Sequence, residues 1–194
     1  MNSKIKPDII LYGGPGSGKS TQAELLVKKL FSAHMNMGGL LRETVKNKRT
    51  GWQDVKQYMN KGGLVPERIS SKLVEKFIAK IPKSKRIVFD GYPRRLLQIR
   101  LLQKMQKKFN RDVIMVFVDL PNKVAKDRLI NRAKIENRLD DANPKVVANR
   151  IRVFNEKSRE VTGYYRKEKK FIKIDGNQLI DKVAKDIWEM VSAL

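Results

Sequence analysis

A glycine-rich loop near the amino terminus carries the clearest chemical signal in the sequence. Gly13 and Gly18 enclose four residues and are followed by Lys19 and Ser20, which matches the phosphate-binding pattern G-x-x-x-x-G-K-[ST]. Glycines let backbone N–H groups turn toward an anion, where the positive end of the following helix also acts. Lys19 adds a mobile charge for the outer phosphates, and the hydroxyls of Ser20 and Thr21 can reach a bridging Mg²⁺ ion. The loop therefore predicts a site for a nucleotide phosphate chain.

The flanks of this loop have the hydrophobic patterns of a strand and a helix. Residues 8–12 form a short apolar run before the loop, and apolar residues recur at helical spacing over residues 19–31. The alternative is a purely structural Gly/Pro turn. The Lys-Ser-Thr ending and both flanks favour the phosphate site over that alternative.

A second group of polar residues follows the apolar run at residues 86–89. Asp90 ends this run, in the manner of the carboxylate that holds Mg²⁺ or its water in many phosphate-loop proteins. Arg94 offers a planar fork of N–H groups to a phosphate. We therefore expect Ser20 and Asp90 to hold Mg²⁺, partly through water.

The remaining apolar runs predict a fold of the α/β class in one domain over residues 1–194. Strands are expected at residues 8–12, 33–37, 86–90, 112–120 and 171–174, and helices lie between and after them, the last at residues 179–191. Strands that alternate with helices predict a doubly wound, five-stranded parallel sheet covered on both faces. Ligands of such sheets bind at the carboxyl ends of the strands.

Composition excludes several classes of protein. The chain of 194 residues is 41% hydrophobic and 32% charged, which is typical of a globular protein rather than a disordered one. No apolar run reaches the ~20 residues of a membrane span, and residues 1–6 lack the apolar core of a signal peptide, so we expect a cytoplasmic protein without a membrane partner. We also expect a monomer. The absence of cysteine and the single histidine, His34, exclude a thiolate zinc site, which leaves Mg²⁺ as the expected metal.

The formal net charge of +23 indicates a protein that handles polyanions. Some arginines are expected to bind nucleotide phosphates, whereas the lysines cluster on polar helix faces, as at Lys107 and Lys108. These clusters are interpreted first as solvated surface, because aromatic residues do not alternate with them as a stacking platform requires. Non-specific binding of nucleic acid is the alternative.

Several motifs in a fixed order resemble the signature of the adenylate kinase family over essentially the whole chain. They are residues 13–22, 38–42, 90–94 with Gln98, and 138–141 followed by Arg150. The resemblance implies reversible transfer of a phosphoryl group from Mg-ATP to AMP, which gives two molecules of ADP. It also implies a core of the P-loop NTPase type, a helical AMP-binding insert at residues 37–70, and a short, zinc-free lid at residues 133–142.

The same resemblance implies a role for each matching residue. ATP would be held by Gly16, Ser17, Gly18, Lys19, Ser20, Thr21, Arg128, Arg132 and Gln178. AMP would be held by Met37, Arg42, Gly63, Leu64, Val65, Gly91, Arg94, Gln98, Arg138 and Arg150. The catalytic residues would be Lys19, Arg94, Arg132, Arg138 and Arg150, whose charges would neutralise the phosphates during transfer. Asp140 and Asp141 match an acid pair at the lid hinge, or alternatively cap the helix that begins near Pro144.

The chain departs from the family pattern on the acceptor side. Met37 stands where Thr is common, Gly39 where Asp is usual, and Arg95 where a small hydroxyl residue is common. A UMP/CMP kinase of the same fold is therefore an alternative, although the amide of Gln98 suits the edge of adenine. A further alternative is a nucleic-acid-binding protein that uses ATP, which the charge of +23 suggests.

Overall fold

The computed structural model describes residues 6–136 and 143–194, and for residues 132–136 the backbone alone. The described chain forms one parallel five-stranded sheet in the order β2-β3-β1-β4-β5. The strands are β1 (Asp8–Tyr12), β2 (Ala33–Asn36), β3 (Ile87–Asp90), β4 (Val113–Asp119) and β5 (Phe171–Asp175). The described helices are α1 (Lys19–Leu30), α2 (Met37–Lys46), α3 (Trp52–Asn60), α4 (Glu67–Ile78), α5 (Leu96–Phe109), α6 (Asn122–Glu136), α7 (Pro144–Lys167) and α8 (Ile180–Ser192).

Hydrophobic residues cover both faces of this sheet, as predicted for a doubly wound fold. Alternate residues of β1 enter different clusters, because successive side chains of a strand point to opposite faces. Ile10 and Tyr12 belong to one buried cluster, and Ile9 and Leu11 belong to the other. The predicted α/β class and the parallel sheet are confirmed.

The central position of β1 brings three connecting segments together. β1 pairs with β3 on one side and with β4 on the other, both in parallel. The segments that follow these strands therefore meet at the carboxyl edge of the sheet, where ligands of such folds bind. The glycine-rich loop follows β1, and residues 91–94 follow β3.

Two expected helix boundaries differ from those observed. Helix α2 begins at Met37 rather than after it, because the Asn36 side chain caps the helix by accepting a hydrogen bond from the Gly39 amide at 2.9 Å. Helix α6 continues to Glu136, so residues 133–136 of the expected lid continue that helix. The other expected lid residues, including Arg138, Asp140 and Asp141, lie outside the described residues.

At the opposite edge of the sheet, a buried ion pair fixes the amino ends of three strands. Asp8 accepts a hydrogen bond from the Ile87 amide at 2.7 Å and pairs with Arg111 at 3.1 Å. Arg111 also donates to the carbonyls of Ile81 and Pro82, at 3.0 and 2.8 Å. Burial raises the pKa of Asp8 to about 6, whereas the Ile87 amide and Arg111 lower it. The carboxylate therefore depends on these donors to remain charged inside the protein.

Asp8→Ala is expected to lower the free energy of unfolding by about 3–5 kcal/mol, because it leaves the Arg111 charge buried without its carboxylate. Urea denaturation followed by circular dichroism measures the change. Glu75→Ala is the control, since it breaks an exposed pair with Lys108 and should cost less than about 1 kcal/mol. Equal, small losses in both variants would show that the Asp8 pair does not stabilise the strand ends.

Candidate active site

The backbone of the glycine-rich loop is shaped to surround an anion. Gly16 and Gly18 have φ angles of 80° and 78°, in the left-handed region that favours glycine. A Cβ atom on Gly16 would lie 2.6 Å from the Ala125 carbonyl oxygen, so the loop passes close beneath α6. Gly18 caps α1, which places Lys19 and Ser20 in the first turn of that helix. Helix amides at this end are available to bind phosphate.

A cleft with about 1160 Å³ of open space lies beside this loop at the carboxyl edge of the sheet. It brings together residues that are far apart in the sequence. The predicted site residues that line it are Lys19, Met37, Arg42, Gly63, Leu64, Val65, Gly91, Arg94, Gln98 and Arg150. Among the described residues that line this cleft, every charged side chain is a cation. Such a surface favours an anionic ligand.

Arg94 is held firmly within the cleft. Its Nε donates to the Gly91 carbonyl at 2.9 Å, and its backbone N–H donates to Gln98 Oε1 at 2.6 Å. Burial lowers the pKa of Arg94, and the nearby charge of Arg150 lowers it further, while Asp90 and Tyr12 act in the opposite direction. An arginine remains charged despite such shifts. Burial and Arg150 thus both disfavour the charge of Arg94, and an anion bound in the cleft would favour that charge, as Asp90 does.

Gln98 is fixed by contacts from several directions. It is 4% exposed, and its Nε2 donates to Ser70 Oγ at 3.2 Å. The Tyr92 hydroxyl donates to the Gln98 backbone carbonyl at 3.2 Å. Since a primary amide has two N–H groups and two oxygen lone pairs, the Gln98 side chain keeps one donor and one acceptor for a ligand.

Residues of the expected insert line the cleft together with Gln98. Gly62, with φ of 66°, packs on α7, where an added Cβ would lie 2.9 Å from the Val146 carbonyl oxygen. Asn149 Nδ2 donates to the Lys61 carbonyl at 2.6 Å. These contacts hold the segment 63–65 over the cleft, so its backbone faces the same space as Arg94.

Two residues expected to bind ATP lie around the end of β5 instead of lining the cleft. Arg128 Nη1 donates to the Gly176 carbonyl at 3.2 Å. Gln178 Nε2 donates to the Asp175 carbonyl at 2.9 Å and to Asp186 at 3.0 Å. Helix α6 carries Arg128 and also touches Gly16, so the end of β5 that Arg128 contacts lies near the glycine-rich loop. For Arg132 only the backbone is described, and Arg138 lies outside the described residues.

The two expected magnesium ligands, Ser20 and Asp90, are both oxygen donors. Asp90 is 3% exposed at the carboxyl end of β3, paired in register with Leu11, and its Oδ2 lies 4.0 Å from His34 Nε2. Ser20 supplies a hydroxyl from the first turn of α1. In the described part of the chain, no group of three or more His, Cys, Asp or Glu could hold a metal by itself. A carboxylate and a hydroxyl do suit Mg²⁺, which takes its other ligands from phosphates and water.

Comparison with known proteins agrees with this geometry. A sequence model of the family described as adenylate kinase matches residues 11–170. The chain belongs to the adenylate kinase family. The adenylate kinase of Flavobacterium psychrophilum is 32% identical over 188 residues, which cover 96% of this chain and 99% of that protein. The adenylate kinase of a Cyanothece species is 33% identical over 187 residues, which cover 96% of this chain and 95% of that protein. Adenylate kinase 1 of Schistosoma mansoni is 36% identical over 176 residues, which cover 90% of this chain and 87% of that protein.

Membership of the adenylate kinase family confirms the predicted resemblance and the class of enzyme, a phosphotransferase of the nucleoside monophosphate kinase type. The names of these relatives favour the principal interpretation over a UMP/CMP kinase. The roles of individual residues remain predictions.

Sequence reasoning missed three residues of α7 that line the cleft, of which Val153 is apolar and the other two are Phe154 and Lys157. Phe154 lies four residues after Arg150, and Lys157 lies seven after it, so these two and Arg150 project from one face of the helix. A Cβ atom on Gly14 would lie 3.1 Å from the Phe154 ring, which therefore packs directly on the glycine-rich loop. Lys157 adds a further cation to the cleft of this adenylate kinase family member. The helical spacing from Arg150 was the signal that could have revealed Phe154 and Lys157.

Arg94→Met is expected to reduce the thermal stabilisation that pyrophosphate gives the protein, because one buried guanidinium that would contact the anion is lost. Differential scanning fluorimetry with and without pyrophosphate measures the rise in Tm. Arg95→Met is the control, since Arg95 pairs with Glu67 at 2.7 Å and does not line the cleft. An undiminished rise in the Arg94 variant would show that the anion binds elsewhere.

Proposed function

We propose that the protein is an enzyme that reversibly transfers the terminal phosphoryl group of Mg-ATP to AMP, which yields two molecules of ADP. The observation that carries this proposal is the convergence of Lys19, Arg94 and Arg150 on one cleft between the glycine-rich loop and the expected AMP insert. A cleft of this kind can hold two nucleotides with their phosphates facing each other. Family membership gives independent support.

The charge distribution of the cleft suits the chemistry of phosphoryl transfer. This reaction requires little covalent work from the protein, and it depends on positioning and on stabilising negative charge in the transition state. Lys19 would bind the outer phosphates of ATP, while Arg94 and Arg150 would bind the phosphate of AMP and the group in transfer. By family resemblance, Arg132 and Arg138 would add charge from the lid. No general base is needed, because the attacking AMP phosphate is already an anion.

A magnesium ion bound with ATP would neutralise charge on the phosphates and help to orient them. Ser20 would ligate it through its hydroxyl, and Asp90 would hold it or its water. Arg128 and Gln178 would bind the adenosine part of ATP, since both lie around the loop after β5 beside α6. Their present hydrogen bonds to that loop would fix its shape for the nucleotide.

Gln98 and the insert would select AMP as the acceptor. The remaining donor and acceptor of the Gln98 amide match the acceptor and donor that adjoin each other on the adenine edge. Met37 is 5% exposed and lines the cleft, so it would pack on the acceptor rather than donate a hydrogen bond. We propose that residues 37–70 act as the AMP-binding insert and residues 133–142 as the lid.

We further propose that the enzyme works as a cytoplasmic monomer. The cleft is formed by a single chain, so no second copy is needed to complete it. In the described residues no helix combines the length and the hydrophobicity needed to cross a bilayer.

A panel of acceptors tests the proposed substrate. With Mg-ATP as donor, ADP formation in a coupled assay is expected to be fastest with AMP, by at least about tenfold in kcat/KM over UMP, CMP and GMP, because only AMP satisfies the Gln98 amide. Omission of Mg²⁺ should remove most of the activity. A preference for UMP or CMP would assign the protein to the pyrimidine kinases of the same fold.

Lys19→Met is expected to leave a folded protein whose kcat is lower by about two to three orders of magnitude, because a cation that stabilises the transition state is removed. Steady-state kinetics and circular dichroism together measure activity and folding. Lys56→Met is the matched control, since Lys56 is exposed on α3 and does not line the cleft. Near-normal turnover by the Lys19 variant would contradict the proposed role of the loop.

A further inference from the structure

The edge of the sheet opposite the cleft carries a second concentration of positive charge. The helices α1, α4, α5 and α7 each precede a strand and run back across the sheet, so their carboxyl ends meet at its amino edge. Basic residues occupy the last turn of each of these helices. Cations near a helix carboxyl end offset the helix dipole. The connecting loops add lysines beyond the last turns, at Lys83, Lys85 and Lys169, where the dipole does not account for them.

Backbone contacts place these loops next to one another. The Ala33 amide donates to the Arg86 carbonyl at 2.8 Å, which joins the end of α1 to the loop before β3. Arg111 donates to the Lys85 carbonyl at 3.2 Å, which joins that loop to the start of β4. The Met115 amide donates to the Lys170 carbonyl at 2.9 Å, which extends the contact to β5. We define the amino-edge face by its exposed residues Lys28, Phe31, Lys80, Lys83, Lys85, Lys107, Lys167 and Lys169.

The lysines that define the amino-edge face are not engaged in ion pairs with acids of the described residues. Within residues 6–136 and 143–194, the ion pairs of this region involve Arg111, Lys108 and Lys170. The proposed reaction does not use these residues, because they lie at the opposite edge of the sheet from the cleft.

An exposed aromatic ring lies at the same edge of the sheet as these lysines. Phe31 caps α1 in the left-handed conformation, with φ of 50°, and its side chain is 87% exposed. This position of a helix end normally carries Gly or sometimes Asn, and α5 ends in that way with Asn110 at φ of 48°. Neither burial nor backbone geometry explains a phenylalanine here. An exposed ring beside cations is, however, the arrangement that stacks a base and binds its phosphates.

We propose that the amino-edge face binds single-stranded nucleic acid, with Phe31 stacked on a base and the lysines in contact with phosphates. Binding would be independent of sequence, because neither stacking nor phosphate contact reads base edges. A membrane surface fits less well, since peripheral membrane binding relies on an extended apolar face. The strongly exposed hydrophobic residues Leu179 and Ile180 do not add an apolar area to the amino-edge face, because they lie beyond the carboxyl end of β5, at the other edge of the sheet.

Fluorescence anisotropy with a labelled single-stranded oligonucleotide and the full chain tests this proposal. The expected result is salt-dependent binding that Phe31→Ala weakens at least about fivefold, in line with the loss of one stacked base. The double variant Lys83→Glu/Lys85→Glu should bind more weakly and reduce the slope of log K against log salt by about 1.4, or about 0.7 per lost phosphate contact. Duplex DNA should bind the wild type less tightly than the single strand, because its bases are already stacked.

The double variant Lys72→Glu/Arg100→Glu is the control, since it changes the net charge equally at exposed positions on α4 and α5, outside the proposed insert. If this control keeps its affinity for the oligonucleotide, the result supports binding at the amino-edge face. If it loses as much affinity as Lys83→Glu/Lys85→Glu, the effect is one of overall charge and the proposal is overturned. The proposal is also overturned if wild type fails to bind at low salt, if Phe31→Ala binds normally, or if only vesicles that contain phosphatidylserine are bound. ADP formation from ATP and AMP should be unchanged in all these variants, which separates this proposal from the proposed function.

Discussion

The convergence of cations on the carboxyl edge of the sheet is the constraint that the rest of the structure must satisfy. Arg94 is buried close to Arg150, and Lys19 lines the same cleft. Side chains of like charge would separate if they were free to move, so the fold must hold them. It does so by attaching them to rigid elements: the first turn of α1, the segment after β3, and α7. The cleft is thus prepared for an anion before any ligand arrives, which is how a site avoids reorganisation during a reaction.

The support for this arrangement extends well beyond the cleft. Arg94 is fixed by Gln98, Gln98 is fixed by Ser70, and the Tyr92 hydroxyl contacts both Gln98 and Ser71. The amino ends of the central strands are in turn held by the buried pair of Asp8 and Arg111. Each residue in this series has at least one named hydrogen-bond partner, so the series is held in place as well as buried. Burial alone would not fix Arg94, since hydrophobic contact has no direction.

The sequence was sufficient to predict the fold and much of the cleft, for physical reasons that can be named. The strands of a parallel sheet read as short apolar runs, and the glycine-rich loop has a spacing that few other structures require. Helix ends were less predictable, because the side chain of Asn36 and the continuation of α6 decided them locally. Phe154 and Lys157 were missed because their importance depends on which face of α7 meets the cleft. That depends on tertiary packing, which a single motif does not encode.

The two edges of the sheet differ in the kind of cation that they carry, and the difference has a chemical meaning. The cleft at the carboxyl edge carries three arginines, Arg42, Arg94 and Arg150, beside Lys19 and Lys157. The exposed cations of the amino edge are mostly lysines, with Arg166 among them in the last turn of α7. The planar guanidinium group presents its donors in a fixed geometry that matches a phosphate, so it suits a site where one phosphoryl group must be held in place. The ammonium group is a point charge on a flexible stem, and it suits a chain of phosphates whose position varies. An excess of cations that served only solubility would not require this division between the edges. The division is instead what the chain would need if one edge positions two nucleotides for reaction and the other binds a polyanion without regard to its sequence.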